Sequence, residues 1–346
     1  MDPLQTETET ETDPDPKPIR ALLRRLGEVN VPRGDGLTFV MFAAVAVFLA
    51  INEAFTGVLL ALYYRPTVAD ANGSVRLIVT DVEFGGLVRS LHYWGAQALL
   101  FVLGATIAWA ALRRAYRSPN AFAWFSGISL TLVAVAETLT GSLLPWSHRS
   151  EVEAQLSATL AAQIPLVGTL LRGLMLGGAE ASDLSLVRIL GVHAGALPIV
   201  ATLCAGMLTL HTAGCAPRKP TSATLPLMPH VVLRAALAAA VAGMVLFALS
   251  SFFPPRLGLS ANLATASAAG MKPSWYLVFV DQMLRAAPPR MLGVASARVI
   301  ATAVALCIAA LAVFPTFDRK ASRGGQAVVL VVLAAILGGT IRALFI

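Results

Sequence analysis

Two of the five histidines in this chain, His92 and His193, each sit just inside the outer end of a long apolar segment. An imidazole in hydrocarbon is costly unless something binds it, so such residues mark functional sites by default. Two imidazoles at matching depth on neighbouring helices can ligate one haem iron from opposite faces. They can equally make two interhelical hydrogen bonds with no metal between them. His148 and His230 lie at segment boundaries and His211 near the inner end of its segment, where interfacial solvation accounts for them.

The elements that carry these residues are membrane spans. Of 346 residues, 57% are hydrophobic and only 13% charged, far beyond what a soluble core of this size could hide. Seven segments are long and apolar enough to cross a bilayer: 37–62, 89–112, 122–145, 188–211, 231–253, 294–315 and 326–345. The expected class is an all-α membrane protein with seven transmembrane helices. Two long connections, 147–187 and 254–293, hold less apolar stretches, Glu151 to Leu171 and Lys272 to Arg285, expected to lie at the interface. Arginines and lysines fall in the N-terminal segment and in the connections holding Arg113, Arg114 and Arg117, Arg218 and Lys219, and Arg319, Lys320 and Arg323. By the positive-inside rule those segments, with the N-terminus, are cytoplasmic and the long connections face the opposite side. A bacterial inner membrane is the expected location.

Residues 1–30 read as an acidic, proline-containing tail followed by a short basic amphipathic stretch. The net charge of +7 comes from short clusters between apolar runs, which points to the bilayer surface and not to nucleic acid. Cys204, Cys215 and Cys307 are widely spaced, without the CxxC or CxxCH patterns of metal clusters or covalent haem attachment.

One span separates spans two and four, so the two run parallel. His92 follows Arg89 and His193 follows Arg188, both arginines at the outer starts of their helices. At about 1.5 Å rise per residue the imidazoles then differ in depth by a few ångströms. Arg89, one turn outward of His92, is placed to pair with a haem propionate. Gly57, Gly127 and Gly141 give small faces on spans one and three, either for a flat macrocycle or for close helix packing.

Seven stretches occur together and in order over about residues 31–345: YYRPTV (63–68), FGGLVRSLH (84–92), TGSLLPW (140–146), IPLVG with LLRG (164–173), VRILGVHAGALP (187–198), KPSWY and QMLR (272–285). In these the chain resembles the cytochrome b subunit of bc-type quinol oxidoreductase complexes, in the layout that joins cytochrome b and subunit IV. The resemblance implies a haem-binding four-helix bundle over 31–217 and a three-helix C-terminal domain over 218–346. It implies haem b held by His92 and His193. It also implies a positive-side quinol pocket shaped by Gly141, Leu144, Pro145, Trp146, Pro273, Ser274, Trp275 and Tyr276. A Rieske iron–sulfur protein, a c-type cytochrome and a homodimeric arrangement are the implied partners.

The sequence departs from that family pattern at two places. Where the family has a second, inner histidine pair, this chain has Thr106 and, on span four, Met207 or Leu208; Trp109 and Ala43 replace a basic residue and a glycine at the same depth. One haem is therefore expected, with Trp109 filling vacated volume. Ser274 stands where the family's PxWY tetrad carries a proton-accepting carboxylate, and serine does no acid–base work near neutral pH. Glu137, Asp281 and His148 are candidate substitutes, and Glu53 is an intramembrane carboxylate with no assigned role. The expected function is a subunit of a quinol oxidoreductase, not an enzyme by itself. The alternative is a degenerate paralogue acting as a structural or assembly subunit.

Overall fold

A computed structural model describes residues 29–116, 120–164, 166–177, 181–214, 223–261, 272–291, 293–318 and 322–345. The expected tail over most of 1–30 and the expected domain boundary at 217/218 lie outside them. Seven helices are long and apolar enough to span a membrane: Asp35–Ala61, Gly85–Leu112, Ala121–Leu143, Asp183–Thr212, Leu227–Phe252, Ser296–Phe317 and Arg323–Arg342. Large apolar side chains such as Phe55, Phe101, Leu210 and Phe317 project outward from them uncovered. A surface of that kind is stable only against lipid, so the chain is an integral membrane protein.

Spans one to four form a bundle in which one packs on two, two on three and three on four. Spans five, six and seven lie against its outside: five on one and two, six on three, seven on two. Several hydroxyls inside the spans are satisfied by their own helices. Thr56 donates to the Asn52 carbonyl (2.6 Å), Thr106 to Val102 (2.7 Å) and Thr138 to Ala134 (2.8 Å). Without water, bonding to the carbonyl four residues back is the least costly outlet for a threonine.

Both long connections contain helices, as their composition predicts: His148–Ala162 and Gly168–Leu176 in the first, Trp275–Ala286 in the second. The Ser147 hydroxyl caps the first of these by accepting from the Ser150 N–H, and Glu151 sits in the same first turn, where the helix dipole favours a carboxylate. Gly177, at φ 71°, ends the helix Gly168–Leu176 in the left-handed conformation that costs a glycine nothing. A further short helix, Ala71–Thr80, joins spans one and two. Its ten residues are too short and too mixed in polarity to stand out in the sequence. An antiparallel pairing of Asn30–Pro32 with Thr224–Pro226 ties the start of span one to the start of span five.

The outer ends of the bundle, meaning those on the side of the two long connections, are locked by side chains from these connections. The Tyr64 hydroxyl donates to the Leu144 carbonyl (2.7 Å), and Asn72 Nδ2 donates to Pro145 (3.1 Å) and Gly258 (3.3 Å). A buried cluster of Ala71, Leu143, Trp146, Ala154, Ala158, Leu186 and Ile189 fills the space beneath. The TGSLLPW turn is thus clamped by two elements distant in sequence.

Candidate functional site

Span two begins at Gly85 and span four at Asp183, each earlier than its hydropathy suggests. His92 and His193 therefore stand about two to three turns inside their helices. Their ring centroids are 6.1 Å apart and the rings are nearly perpendicular, at 84°. A metal bound to one nitrogen of each ring needs about 2 Å per bond. Adding about 1 Å from each nitrogen to its ring centre gives centroids roughly 6 Å apart on such an ion. The observed spacing fits a shared axial pair.

His193 owes its place to a local break in span four. Residues Val192–Ala196 form a π-helical turn, closed by the Leu197 N–H on the Val192 carbonyl. Pro198, immediately beyond, has no N–H to give, which disturbs the regular ladder around it. A widened turn re-aims the side chains it carries, and such turns recur at functional sites.

Spans one and three present the same small motif to the two histidines, Glu53-x-x-Thr56-Gly57 and Glu137-x-x-Thr140-Gly141. Spacing of three and four residues puts all three members on one helical face. Glu53 Oε2 lies 3.2 Å and Thr56 Oγ1 3.0 Å from His92 Nδ1. Glu137 Oε2 lies 2.9 Å and Thr140 Oγ1 3.1 Å from His193 Nδ1. Thr56 and Thr140 already spend their hydroxyl protons on the Asn52 and Ala136 carbonyls. Each threonine oxygen must therefore accept, and each Nδ1 must carry the proton. That leaves both Nε2 lone pairs to ligate a metal, the tautomer a haem ligand needs.

The glycines complete each half. A Cβ on Gly57 would lie 3.2 Å from His92 Cε1, and one on Gly141 2.9 Å from His193 Cε1. Gly95 plays a supporting part, since any Cβ there would overlap the Glu53 carboxylate, which Asn52 Nδ2 also holds at 3.0 Å. Glu53, to which residue type and depth assign no role, thus serves His92, and Glu137 serves His193. The signal in the sequence is the repeated ExxTG, whose glutamates and glycines stand out one by one but not as a motif.

Gly127 is not part of this arrangement. Fourteen residues from Gly141, it lies about 21 Å further down the helix, and its missing side chain admits Ile107 Cδ1 at 3.2 Å. It serves helix packing. Arg89 is half sequestered one turn above His92, with Nη1 donating to the Pro255 carbonyl (2.7 Å). Together with Ser90, Ser250 and Pro254 it lines a pocket of about 340 Å³ at the outer rim.

At the inner depth the same bundle holds other chemistry. Thr106 is bonded to its own helix, Trp109 lies tilted against Phe42 with ring centroids 6.1 Å apart, and Met207 on span four is 47% exposed. His211 packs its ring on Phe122 at 5.1 Å. Ile107, Ala111, Trp124 and Ile128 are buried between spans two and three. Among the described residues no second facing pair of histidines occurs.

The TGSLLPW turn and the KPSWY segment meet beside spans two and three, where Tyr276 packs against Leu100, Leu103 and Ala134. Trp275 Nε1 donates to Gln97 Oε1 (2.7 Å), and the Tyr276 hydroxyl donates to Ser142 Oγ (3.5 Å). Leu144, Pro145 and Trp146 lie in or against the buried cluster beneath, and Trp146 takes φ 43° to turn the chain into the next helix. None of the three substitutes expected for the carboxylate at Ser274 reaches it. Glu137 is bound to His193, Asp281 to Arg285 Nε (2.7 Å), and His148 faces Glu151 at 3.7 Å. The carboxylate that does reach Ser274 is Glu153, only 1% exposed, from the helix His148–Ala162. Burial pushes the Tyr276 phenol up, and Glu153 nearby adds to that rise.

Known proteins resemble this chain in sequence and fold. The family model "Cytochrome b/b6/petB" matches residues 35–214, and "Cytochrome b(C-terminal)/b6/petD" matches residues 260–343. The chain is 27% identical over 275 residues to a "Cytochrome bc complex cytochrome b subunit" of Chlorobaculum thiosulfatiphilum, covering 77% of this chain and 64% of that relative. It is 30% identical over 173 residues to "Cytochrome b6" of Synechococcus sp. (strain CC9605), covering 50% of this chain and 79% of the relative. A solved structure titled "Hyperthermophilic respiratory Complex III" shares the fold with a TM-score of 0.68 at 20% identity, covering 94% of this chain and 97% of that one. With a matched N-terminal domain spanning more than half of its residues and the matched C-terminal domain following in order, the chain belongs to the cytochrome b/b6 family.

Proposed function

We propose that this chain is the cytochrome b-like subunit of a membrane quinol:cytochrome c-type electron-transfer complex, carrying one haem b near an outer quinol pocket. The observation that carries the reading is the histidine pair, 6.1 Å apart, with a carboxylate and a threonine oxygen at each Nδ1 that leave Nε2 for a metal. Haem b bound there supplies a one-electron carrier close to the outer surface. His92 and His193 would hold it, oriented by Glu53, Thr56, Glu137 and Thr140. Gly57 and Gly141 keep space at the two rings. Arg89 is the candidate partner for a propionate.

Substrate quinol binds between the TGSLLPW turn and the KPSWY segment, against Leu144, Pro145, Trp146, Pro273, Trp275 and Tyr276. Clamping by Tyr64 and Asn72 holds that wall rigid, which orients a planar ring and keeps bulk water from it. A Rieske iron–sulfur protein and a c-type cytochrome are the expected partners, in a homodimer within the inner membrane and with the N-terminus cytoplasmic.

A single haem is supported by the inner half of the bundle. The Thr106 hydroxyl is bonded to its own helix, Met207 is half exposed with no facing histidine among the described residues, and Trp109 with Phe42 occupies the depth concerned. Electron transfer straight across the membrane would then lack its second station. The chain is accordingly read as delivering electrons sideways, to a dimer mate or another subunit. The test is a pyridine haemochrome assay on purified protein with haem supplied in excess. One haem per chain is expected. Two would overturn the single-haem reading, and none the redox assignment.

A further inference from the structure

We propose that Glu153 is the proton-accepting group of the quinol pocket, reached through the hydroxyl of Ser274. The inference rests on the quinol reading above and deepens it. Oxidising a quinol means removing protons from its hydroxyls, so a group able to hold a proton near neutral pH must stand at the pocket wall. Ser274 and Ser142 cannot hold one, nor can a guanidinium such as that of Arg149. The Tyr276 phenol, pushed upward by burial, stays protonated. Glu153 is the remaining group, and among the described residues it is the carboxylate bonded to the Pro273–Tyr276 segment.

Its geometry is specific. Glu153 Oε1 accepts from the Ser274 N–H (2.7 Å), the Ser274 hydroxyl (2.7 Å) and Arg149 Nε (3.0 Å), and Oε2 lies 2.7 Å from the Ser142 hydroxyl, whose one proton is divided between it and the Leu139 carbonyl (2.8 Å). Three donors and a share of the Ser142 proton surround a carboxyl group that is 1% exposed. The two hydroxyls come from the two sequence motifs that form the pocket, TGSLLPW and KPSWY. A buried carboxylate tying both walls together through exchangeable O–H groups is more than a helix–loop brace, for which Arg149 alone would serve.

The step balances as a relay. The quinol O–H donates to Ser274 Oγ while the Ser274 O–H donates to Glu153 Oε1. The quinol proton passes to Ser274 as the serine proton passes to Glu153, and the serine ends unchanged. Oxidation to the quinone releases two protons and two electrons: one proton takes this relay, the other leaves with one electron to an iron–sulfur protein partner, and the second electron goes to a second one-electron acceptor, the role a haem bound at His92 and His193 would fill. Protonation removes the charge that holds Arg149, whose guanidinium is half exposed and marks the exit to water.

The test uses the complex purified from its own membrane, with short-chain menaquinol and ubiquinol supplied in turn and reduction of the haem and of a c-type acceptor followed. Glu153→Gln is expected to lower quinol-driven reduction about 100-fold or more, with haem content and the dithionite-reduced spectrum unchanged. Glu153→Asp is expected to fall between, and the exchange Glu153→Ser with Ser274→Glu to recover most of the rate, which no bracing role would produce. If Glu153→Gln does not accumulate, Ser274→Ala decides, with at least a tenfold fall expected. Turnover of the wild-type complex that survives Glu153→Gln or Ser274→Ala overturns the assignment alone. A wild-type complex that neither quinol reduces overturns the quinol reading, and the assignment with it.

Discussion

The two halves of the four-helix bundle are built from the same helices and yet are chemically opposite. At the outer depth, spans one and three each turn a carboxylate, a threonine and a glycine toward a histidine on spans two and four. At the inner depth the corresponding faces hold Thr106, Trp109, Phe42, Ile107 and Ile128, bonded or packed within the protein. Polar groups in a membrane persist only where each has a partner. The outer half meets that condition by pairing every donor of its histidines, and the inner half by having almost none to pair. Specialising one depth leaves the other free to become ordinary helix packing.

The sharpest way to break this comparison is to remove a ligand. His92→Ala or His193→Ala is expected to abolish haem binding, read as loss of the haemochrome signal with span content by circular dichroism retained. Either variant holding a full complement of haem would place the cofactor elsewhere. Next come the groups behind the ligands. Glu53→Leu and Glu137→Leu are each expected to weaken haem binding about 10- to 100-fold, the usual effect of losing a partner that orients a metal-bound histidine. Haem titration of the apoprotein measures this. Equal losses for the two variants would support the twofold likeness of the site, and a large loss for only one would dismantle it.

Much of this arrangement is legible in the amino-acid sequence itself. Seven spans follow from hydropathy because only helices of that length satisfy their backbones in lipid, and the histidine pair follows from depth on parallel spans. Glu53 and Glu137 are harder to read, since their meaning lies in a short motif repeated on two helices that face different partners. Glu153 is hidden for another reason. It stands on an interfacial helix far in sequence from Ser274, and no periodicity encodes a contact between two connections. The π turn at His193 is equally hidden, although Pro198 marks the spot.

Glycine substitutions grade the two depths against one another. Gly141→Ala would put a Cβ 2.9 Å from His193 Cε1, so either the ring or the helix must move, at a cost of about 1–3 kcal/mol. Gly57→Ala, with 3.2 Å to His92 Cε1, should cost less. Both should also shift the haem absorption, because the rings they push are the ligands. Gly127→Ala meets only the flexible end of Ile107 at 3.2 Å and is expected to leave the spectrum untouched. A spectral change at Gly127 as large as that at Gly141 would mean that a cofactor reaches the inner depth after all.

The smallest expected effect concerns the clamp on the outer turn, and it separates positioning from cofactor binding. Tyr64→Phe removes one hydrogen bond, to the Leu144 carbonyl. The hydroxyl is lost and the ring stays, so stability should fall by only about 1 kcal/mol, seen as a small drop in the thermal midpoint. Haem content should not change, because Leu144 lies three residues beyond Gly141 and its carbonyl makes no contact with either histidine ring. Quinol-driven reduction should nevertheless slow, since that carbonyl belongs to the turn that forms one wall of the proposed pocket. A variant with normal haem, slightly lower stability and unaltered quinol kinetics would show that the wall holds its shape without the clamp, leaving Asn72 as the tie that matters.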